Sequence, residues 1–216
     1  MQRLKSGILI AIEGIDGCGK STLARNLHAT LTRQSIATVL TKEPGGSPLG
    51  KELRALLQQQ EIPLDPKAEY LLFAADRAQH FAQLIIPALY NKQLIISDRM
   101  GDSSIAYQGY GRGLDIAMIK TINAWSMQDI RPDLIVYVRI EPDTAWQRIW
   151  ARNEALTTFE QEGIDFLQRL AHGFDTLFES QQNVIILDGN DTPDILTQKA
   201  ATAIISWINT QQLISQ

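Results

Sequence analysis

The chain has 216 residues, enough for one domain or one domain with a small mobile insertion, and 44% of them are hydrophobic, ample for a single core. A formal net charge of −4 argues against general nucleic-acid binding, which needs a basic face. The one cysteine, Cys18, excludes an internal disulfide and suits a reducing, cytoplasmic setting. The N-terminal apolar run ends too soon, at Glu13, for a signal peptide, and no apolar stretch is long enough to cross a bilayer.

The apolar run at residues 8–12 predicts a buried parallel strand. It empties into Gly14-x-x-x-x-Gly19-Lys20-Ser21, and helix formers follow to about residue 33. Each part has a physical task. Gly14, Gly17 and Gly19 let the backbone curl so that successive N–H groups face a polyphosphate. The helix N-terminus adds its partial positive charge at the same place. Lys20 can reach the β- and γ-phosphates, and the Ser21 hydroxyl can hold Mg²⁺. Gly14, Ile15, Asp16, Gly17, Cys18, Gly19, Lys20, Ser21 and Thr22 are therefore the expected cradle of a nucleoside triphosphate.

A second strand at 36–41 ends at Lys42-Glu43-Pro44-Gly45-Gly46, a forced turn. Residues 49–59 carry Leu53, Leu56 and Leu57 at helical spacing, with Arg54 between them. Pro66 sits at a first helical position and opens a long amphipathic helix to about residue 91, with a kink expected at Pro87. A third strand at 94–97 is followed at once by Asp98-Arg99, and then by a segment rich in Gly, Ser and Tyr at 101–113. The remaining elements read as a helix at 114–129 and a strand at 134–140. A helix from Pro142 then runs through Arg148 and Arg152 into a polar stretch at 153–162. A helix at 163–181, a strand at 184–187 and a helix at 193–210 complete the chain. The Gln-rich patches at 58–60 and 211–212 read as solvated helix ends.

Strand and helix alternate throughout, which predicts an α/β domain with a central parallel five-stranded sheet and helices on both faces. Ligands on such sheets gather at the carboxyl ends of the strands, where Glu13, Lys42, Glu43, Asp98 and Arg99 all fall. The guanine-reading Asn-Lys-x-Asp pattern of GTPases is absent; its nearest match, Asn91-Lys92-Gln93-Leu94, lacks the acid.

A set of motifs then converges on one family. Ile12-Glu-Gly-Ile-Asp-Gly-x-Gly-Lys-Ser, Glu43-Pro-Gly-Gly, Phe73-Ala-Ala-Asp-Arg77, Asp98-Arg99 and Ala106-Tyr-Gln-Gly109 occur in this order, reinforced by Gly111-Arg-Gly113 and Arg131-Pro-Asp133. Together they resemble the bacterial thymidylate kinases over nearly the whole chain. The resemblance implies the nucleoside monophosphate kinase fold of the P-loop proteins, as a single domain with a short lid at about 150–162. It implies transfer of the γ-phosphoryl group of ATP to dTMP, giving dTDP and ADP, with Mg²⁺. It also implies a homodimer built from helices, with residues 65–90 a candidate for the interface.

Phosphoryl transfer needs two polyanions in line and cations to neutralise the moving charge, and no strong general base. Lys20 and Mg²⁺ serve the donor. The family pattern assigns Arg99 to the acceptor phosphate with Arg54 as helper. Asp98, an acid at the end of the third strand, can hold Mg²⁺ through water; a purely structural Asp–Arg pair is the alternative. Phe73 and Arg77 lie four residues apart on one helix face, so a ring can stack on thymine while the guanidinium donates to a base carbonyl. A Phe at this spacing also suits a core position. The resemblance sets Ser104 at the thymine edge and Tyr107 against the sugar 2′ position. Gln108 and Glu43 join the same group, and Glu13 faces the 3′-hydroxyl or a metal-bound water. Tyr110 reads as surface packing.

The chain departs from the family pattern in places. Lys42 stands where arginine is usual and lacks its bidentate fork. The family's catalytic arginine lies either in the phosphate loop, where this chain has Cys18, or in the lid before the aromatic and glutamate, where it has Thr157-Thr158-Phe159-Glu160. Arg148 and Arg152, one helical turn apart, hint at a shared anion or are neutralised by neighbours such as Glu154; Arg152 is the expected lid arginine. Cys18 either fills a small position or is an oxidisable thiolate at the helix N-terminus. Arg139 stands where an acid is common, without a sequence rationale. The rival functions are a kinase for another small acceptor, a nucleotide-dependent switch protein without turnover, and a kinase slowed by the missing arginine.

Overall fold

In the computed structural model, residues 4–58 and 63–213 are described; Gln59 and Gln60, two of the expected helix-end glutamines, lie outside them. Five strands form one sheet: β1 (Ile8–Glu13), β2 (Thr38–Lys42), β3 (Leu94–Asp98), β4 (Leu134–Arg139) and β5 (Val184–Asp188). Their order is β2-β3-β1-β4-β5, and every pairing is parallel. The apolar runs of β1, β3 and β4 are buried because they occupy the middle of the sheet, whereas β2 and β5 are half-exposed edges.

Register decides where the polar residues emerge. Ile12 and Lys42 both lie opposite Asp98, so Glu13, Lys42, Asp98 and Arg99 leave the sheet at one end. The chain moves outward from β1 to β2 and then back to β3, and right-handed crossovers put the connecting helices on both faces. Helix α1 (Lys20–Arg33) packs against the terminal helix α9 (Pro193–Thr210). Between β2 and β3 lie α2 (Pro48–Gln58), α3 (Pro66–His80) and α4 (Ile86–Tyr90). Asp65 caps α3 by accepting from Lys67 N, with Pro66 next to it. The expected kink takes the form of a π-wound turn at Phe81–Ile85, immediately before Pro87. The proline ring has no N–H to donate and displaces the carbonyl one turn back, so the helix widens there instead of breaking.

The Gly-, Ser- and Tyr-rich segment after β3, to which the sequence assigned no element, is helical. It runs as α5 (Gly101–Ser104) followed by a π-wound stretch, Ile105–Gly111. Its glycines serve contact, not turning: a Cβ on Gly109 would lie 3.0 Å from the Ile116 side chain, and one on Gly111 2.6 Å from the Phe166 ring. Close approach to neighbouring helices outweighs the poor helix propensity of glycine. Helix α6 (Ile116–Ser126) stops short of residue 129, because Gln128 and Asp129 both take positive φ. Helices α7 (Pro142–Ala151) and α8 (Ile164–Phe178) flank the segment expected to form the lid, which contains one helical turn, Glu160–Glu162. Among the described residues no helix is long and apolar enough to cross a membrane.

Candidate active site

The phosphate loop joins β1 to α1 in the form its glycines predict. Gly14, Gly17 and Gly19 all have positive φ. Gly17 is also confined from outside: a Cβ there would lie 2.5 Å from the Ala145 carbonyl oxygen of α7. Lys20 is 6% exposed and folds back over the loop, donating to the Ile15 carbonyl and to Asp16 Oδ1, each at 3.2 Å. Ser21, in the first turn of α1, is exposed. Cys18 is fully buried, and burial pushes its thiol up, so it fills space and is no activated thiolate.

Beside the loop lies one pocket that gathers most of the residues picked from sequence. Glu43, Arg54, Phe73, Arg77, Arg99, Ser104, Tyr107 and Gln108 all line it, with Asp16 from the phosphate loop. Arg99 follows β3 with φ of 72°, a left-handed conformation that turns its side chain across the sheet end. Its Nη1 donates to the Gly14 carbonyl at 3.1 Å and to Ser103 Oγ at 3.0 Å. Its Nη2 donates to Asp16 and, at 2.7 Å, to the Tyr107 hydroxyl, which donates onward to Asp16 Oδ2 at 2.8 Å. Burial works to raise the Asp16 pKa, but Arg99 and then Lys20 hold it well below the usual carboxylate range. Asp16 thus ties Lys20 to Arg99, a link the sequence did not suggest.

Arg77, 1% exposed, is held on three sides. Nε donates to Glu43 Oε2 at 2.9 Å, Nη1 to Asn123 Oδ1 at 2.7 Å and Nη2 to Ser104 Oγ at 2.9 Å. A guanidinium has five N–H donors, so three contacts leave two for a ligand. Burial raises the Glu43 pKa, but Arg77 and His80 outweigh it and keep the carboxylate ionised. Arg54 donates to the Pro44 carbonyl at 3.0 Å, which fixes the turn after β2. Gln108 donates through Nε2 to Glu69 at 3.0 Å, which leaves its carbonyl oxygen unused.

Phe73 presents its ring to the pocket and lies 6.1 Å from the ring of Phe159, tilted by 36°. Phe159 also meets Tyr107 edge-on at 5.2 Å, so this lid residue roofs the pocket together with Thr157 and Thr158. Within the lid, Glu160 is buried and accepts from Thr157 N at 2.8 Å, while its own N–H donates to Thr157 Oγ1 at 3.3 Å. This is a reciprocal cap. Arg152, just past the end of α7, donates to Glu160 Oε1. Arg112 holds the lid from the other side through Glu162, and bonds Glu69 of α3 at 3.2 Å.

Several expectations need correction. Glu13, expected to face the sugar or the metal water, is fully buried. Its oxygens accept from Met100 N at 2.7 Å and Ser103 Oγ at 2.6 Å. Burial and then the nearby Asp102 push its pKa up to about 8, so it supports the turn after β3 and lies outside the pocket lining. Arg148 and Arg152 do not share an anion, because their partners diverge: Arg148 donates to the Gly189 carbonyl at 2.8 Å. Arg139, unexplained in sequence, pairs with Asp175, which also accepts from Tyr137.

For a divalent cation the fit is favourable. Asp98 Oδ1 is buried with no hydrogen-bond partner, and with the Ser21 hydroxyl it offers hard oxygen donors of the kind Mg²⁺ takes. Among the described residues no group of three or more His, Cys, Asp or Glu could hold a metal alone. Such an ion would depend on nucleotide phosphates and water for its other ligands.

A phosphate loop at the end of a parallel sheet, with a pocket lined by Arg54, Arg77, Arg99 and Phe73 beside it, defines a P-loop kinase, a phosphotransferase. Comparison with known proteins sharpens this. The family described as thymidylate kinase matches residues 12–200. The chain belongs to the thymidylate kinase family. It is 40% identical to the thymidylate kinase of Halothermothrix orenii over 182 residues, covering 83% of this chain and 88% of that protein. It is also 40% identical to that of Carboxydothermus hydrogenoformans over 188 residues, covering 87% and 92%. The crystal structure of thymidylate kinase from Ehrlichia chaffeensis superposes with a TM-score of 0.75 at 28% identity, covering 92% of this chain and 99% of that one.

Proposed function

We propose that this chain transfers the γ-phosphoryl group of ATP to dTMP, giving ADP and dTDP, with Mg²⁺, in the cytoplasm. The observation that carries this reading is the pocket itself. Arg99, Phe73, Arg77 and Ser104 face one space, and that space opens beside the phosphate loop. Arg99 suits the acceptor phosphate because it lines the pocket next to the phosphate loop, and a phosphate would take over donors now held by Asp16 and the Gly14 carbonyl. Phe73 supplies the stacking face. The two unused N–H groups of Arg77 suit a ring carbonyl, and the free carbonyl oxygen of Gln108 suits a ring N–H. A 4-oxo pyrimidine satisfies both; a cytosine, with an amino group at that edge, would set donor against donor. Tyr107 closes the sugar side, consistent with a deoxyribose.

In the reaction an acceptor phosphate oxygen bonds to the γ-phosphorus as the bond to the β,γ-bridging oxygen breaks, and ADP leaves. Lys20, released from Asp16, neutralises the donor oxygens. When bound, Mg²⁺ would add further charge neutralisation at the β- and γ-phosphates, with Asp98 and Ser21 as its protein donors. Arg152, tethered by Glu160 and still partly exposed, is assigned as the lid arginine. We assign a homodimer to the outer face of α3 and α6, which pack together and leave Leu71, Met118 and Trp125 at 56%, 59% and 79% exposure. The test is ADP formation from ATP and Mg²⁺ with dTMP, dUMP, dCMP, dGMP, AMP and CMP supplied in turn. Turnover with dTMP well above dCMP and the purine nucleotides is expected; no turnover with dTMP would refute the assignment.

A further inference from the structure

One turn beyond Arg77 on α3 lies His80, fully buried and outside the pocket lining. Its Nδ1 lies 3.1 Å from Glu43 Oε1, and its Nε2 lies 2.7 Å from Thr41 Oγ1. An ionised carboxylate only accepts, so Nδ1 carries the proton toward Glu43; in the neutral ring this leaves Nε2 to accept from the Thr41 hydroxyl. The other oxygen of Glu43 takes the Arg77 Nε–H at 2.9 Å. Each carboxylate oxygen thus has one fixed donor, and the plane of Glu43 sets the plane of the guanidinium.

We propose that His80 is a positioning residue for acceptor recognition, anchoring a buried chain Thr41–His80–Glu43–Arg77 that holds the base-reading edge of Arg77 in place. The inference rests on the assignment of Arg77 to the pyrimidine. Three features support a positioning role. Thr41, Glu43, Arg77 and His80 are all buried, so solvent is poorly placed to replace a lost partner. The turn after β2 sits directly on the histidine: a Cβ on Gly46 would fall 2.4 Å from the ring, which leaves His80 no alternative rotamer on that side. The same turn is pinned again from α3, where Asp76 Oδ1 accepts from Gly45 N at 3.1 Å. Release of His80 would free Glu43 to rotate, and Arg77 would keep its charge but lose its aim.

The test compares steady-state kinetics of the full-length enzyme and its variants with dTMP and dCMP as acceptors, with thermal midpoints measured in parallel. His80→Leu should raise the KM for dTMP about tenfold, equivalent to ~1.4 kcal/mol, with the KM for ATP unchanged, and should erode the dTMP-to-dCMP preference by a similar factor. His80→Asn, whose amide N–H takes the place of Nδ1–H, should restore most of both. Thr41→Val removes only the far hydroxyl from a strand and should give a smaller rise of about threefold; it carries the test if His80→Leu does not fold. A folded His80→Leu with unchanged dTMP KM and preference, a folded Thr41→Val without effect when it carries the test, or a His80→Asn no better than Leu, overturns the proposal. If Arg77→Lys leaves the preference intact, the base assignment fails and the relay with it. If Arg77→Lys destroys the preference and folded His80→Leu does not, the relay alone fails.

Discussion

Glu13→Gln is expected to change how stability depends on pH. The carboxyl has an ordinary pKa of 4.5 and is pushed up to about 8 in the fold, first by burial and then by Asp102. Between those values the unfolded chain is ionised at this residue while the folded chain keeps its proton. The folded state therefore binds more protons, and stability falls as pH rises from about 4.5 to 8, after which this contribution is constant. At about 1.4 kcal/mol per pH unit the full span sets an upper bound of roughly 5 kcal/mol. Asp76 and Asp102, each raised to about 6 chiefly by burial, add in the same direction over a narrower window. Glutamine copies the protonated acid: its carbonyl can accept from Met100 N and its amide can donate to Ser103 Oγ. The variant should match the parent at pH 5 and exceed it by a few kcal/mol at pH 8. Urea midpoints with their slopes, taken at half-unit steps from pH 5 to 8.5, measure this directly. Parallel stability curves for parent and variant would refute the reasoning, because they would mean that Glu13 titrates alike in both states.

Phe73→Ala should raise the KM for dTMP by about tenfold while leaving that for ATP near its parent value, in keeping with the ~1–3 kcal/mol of a base–aromatic stack; equal effects on both would count against stacking. Arg152→Ala should lower kcat by about 100-fold or more with a modest change in KM if the lid arginine meets the transferred group. A silent variant in single-turnover assays would remove it from the mechanism. Gly17→Ala places a Cβ 2.5 Å from the Ala145 carbonyl oxygen at φ of 80°. It should cost about 1–3 kcal/mol of stability and weaken ATP binding, as read by calorimetry. Unimpaired folding and binding would show that α7 yields freely there.

The five parallel strands followed from the alternation of strand and helix, and the phosphate loop from spacing, because both are written in local sequence; the order of the strands across the sheet is set by tertiary pairing and was not legible there. The grouping of Phe73, Arg77 and Arg99 around one pocket was legible because these residues carry their chemistry with them. Residues that work through a neighbour were not. Asn123 and His80 sit at ordinary helical positions, and only tertiary contact reveals that one accepts from Arg77 and the other steadies Glu43. Phe159 looked like lid composition until the chain folded it over Phe73. The stretch from Gly101 to Gly111 was left without an element, since its glycines mark tight packing against Ile116 and Phe166 within a widened helix and not a turn. Glu13 misled by position: an acid at a strand end faces the ligand only if the following turn does not claim both of its oxygens first.

Cys18 gives the molecule a built-in gauge of its own openings. It is the chain's sole sulfhydryl, and in the native fold its side chain is buried within the loop between β1 and α1. An alkylating dye reacts when that loop opens, so the labelling rate follows the fraction of time the thiol is exposed. Saturating nucleotide should slow the reaction in proportion to the time the loop spends occupied.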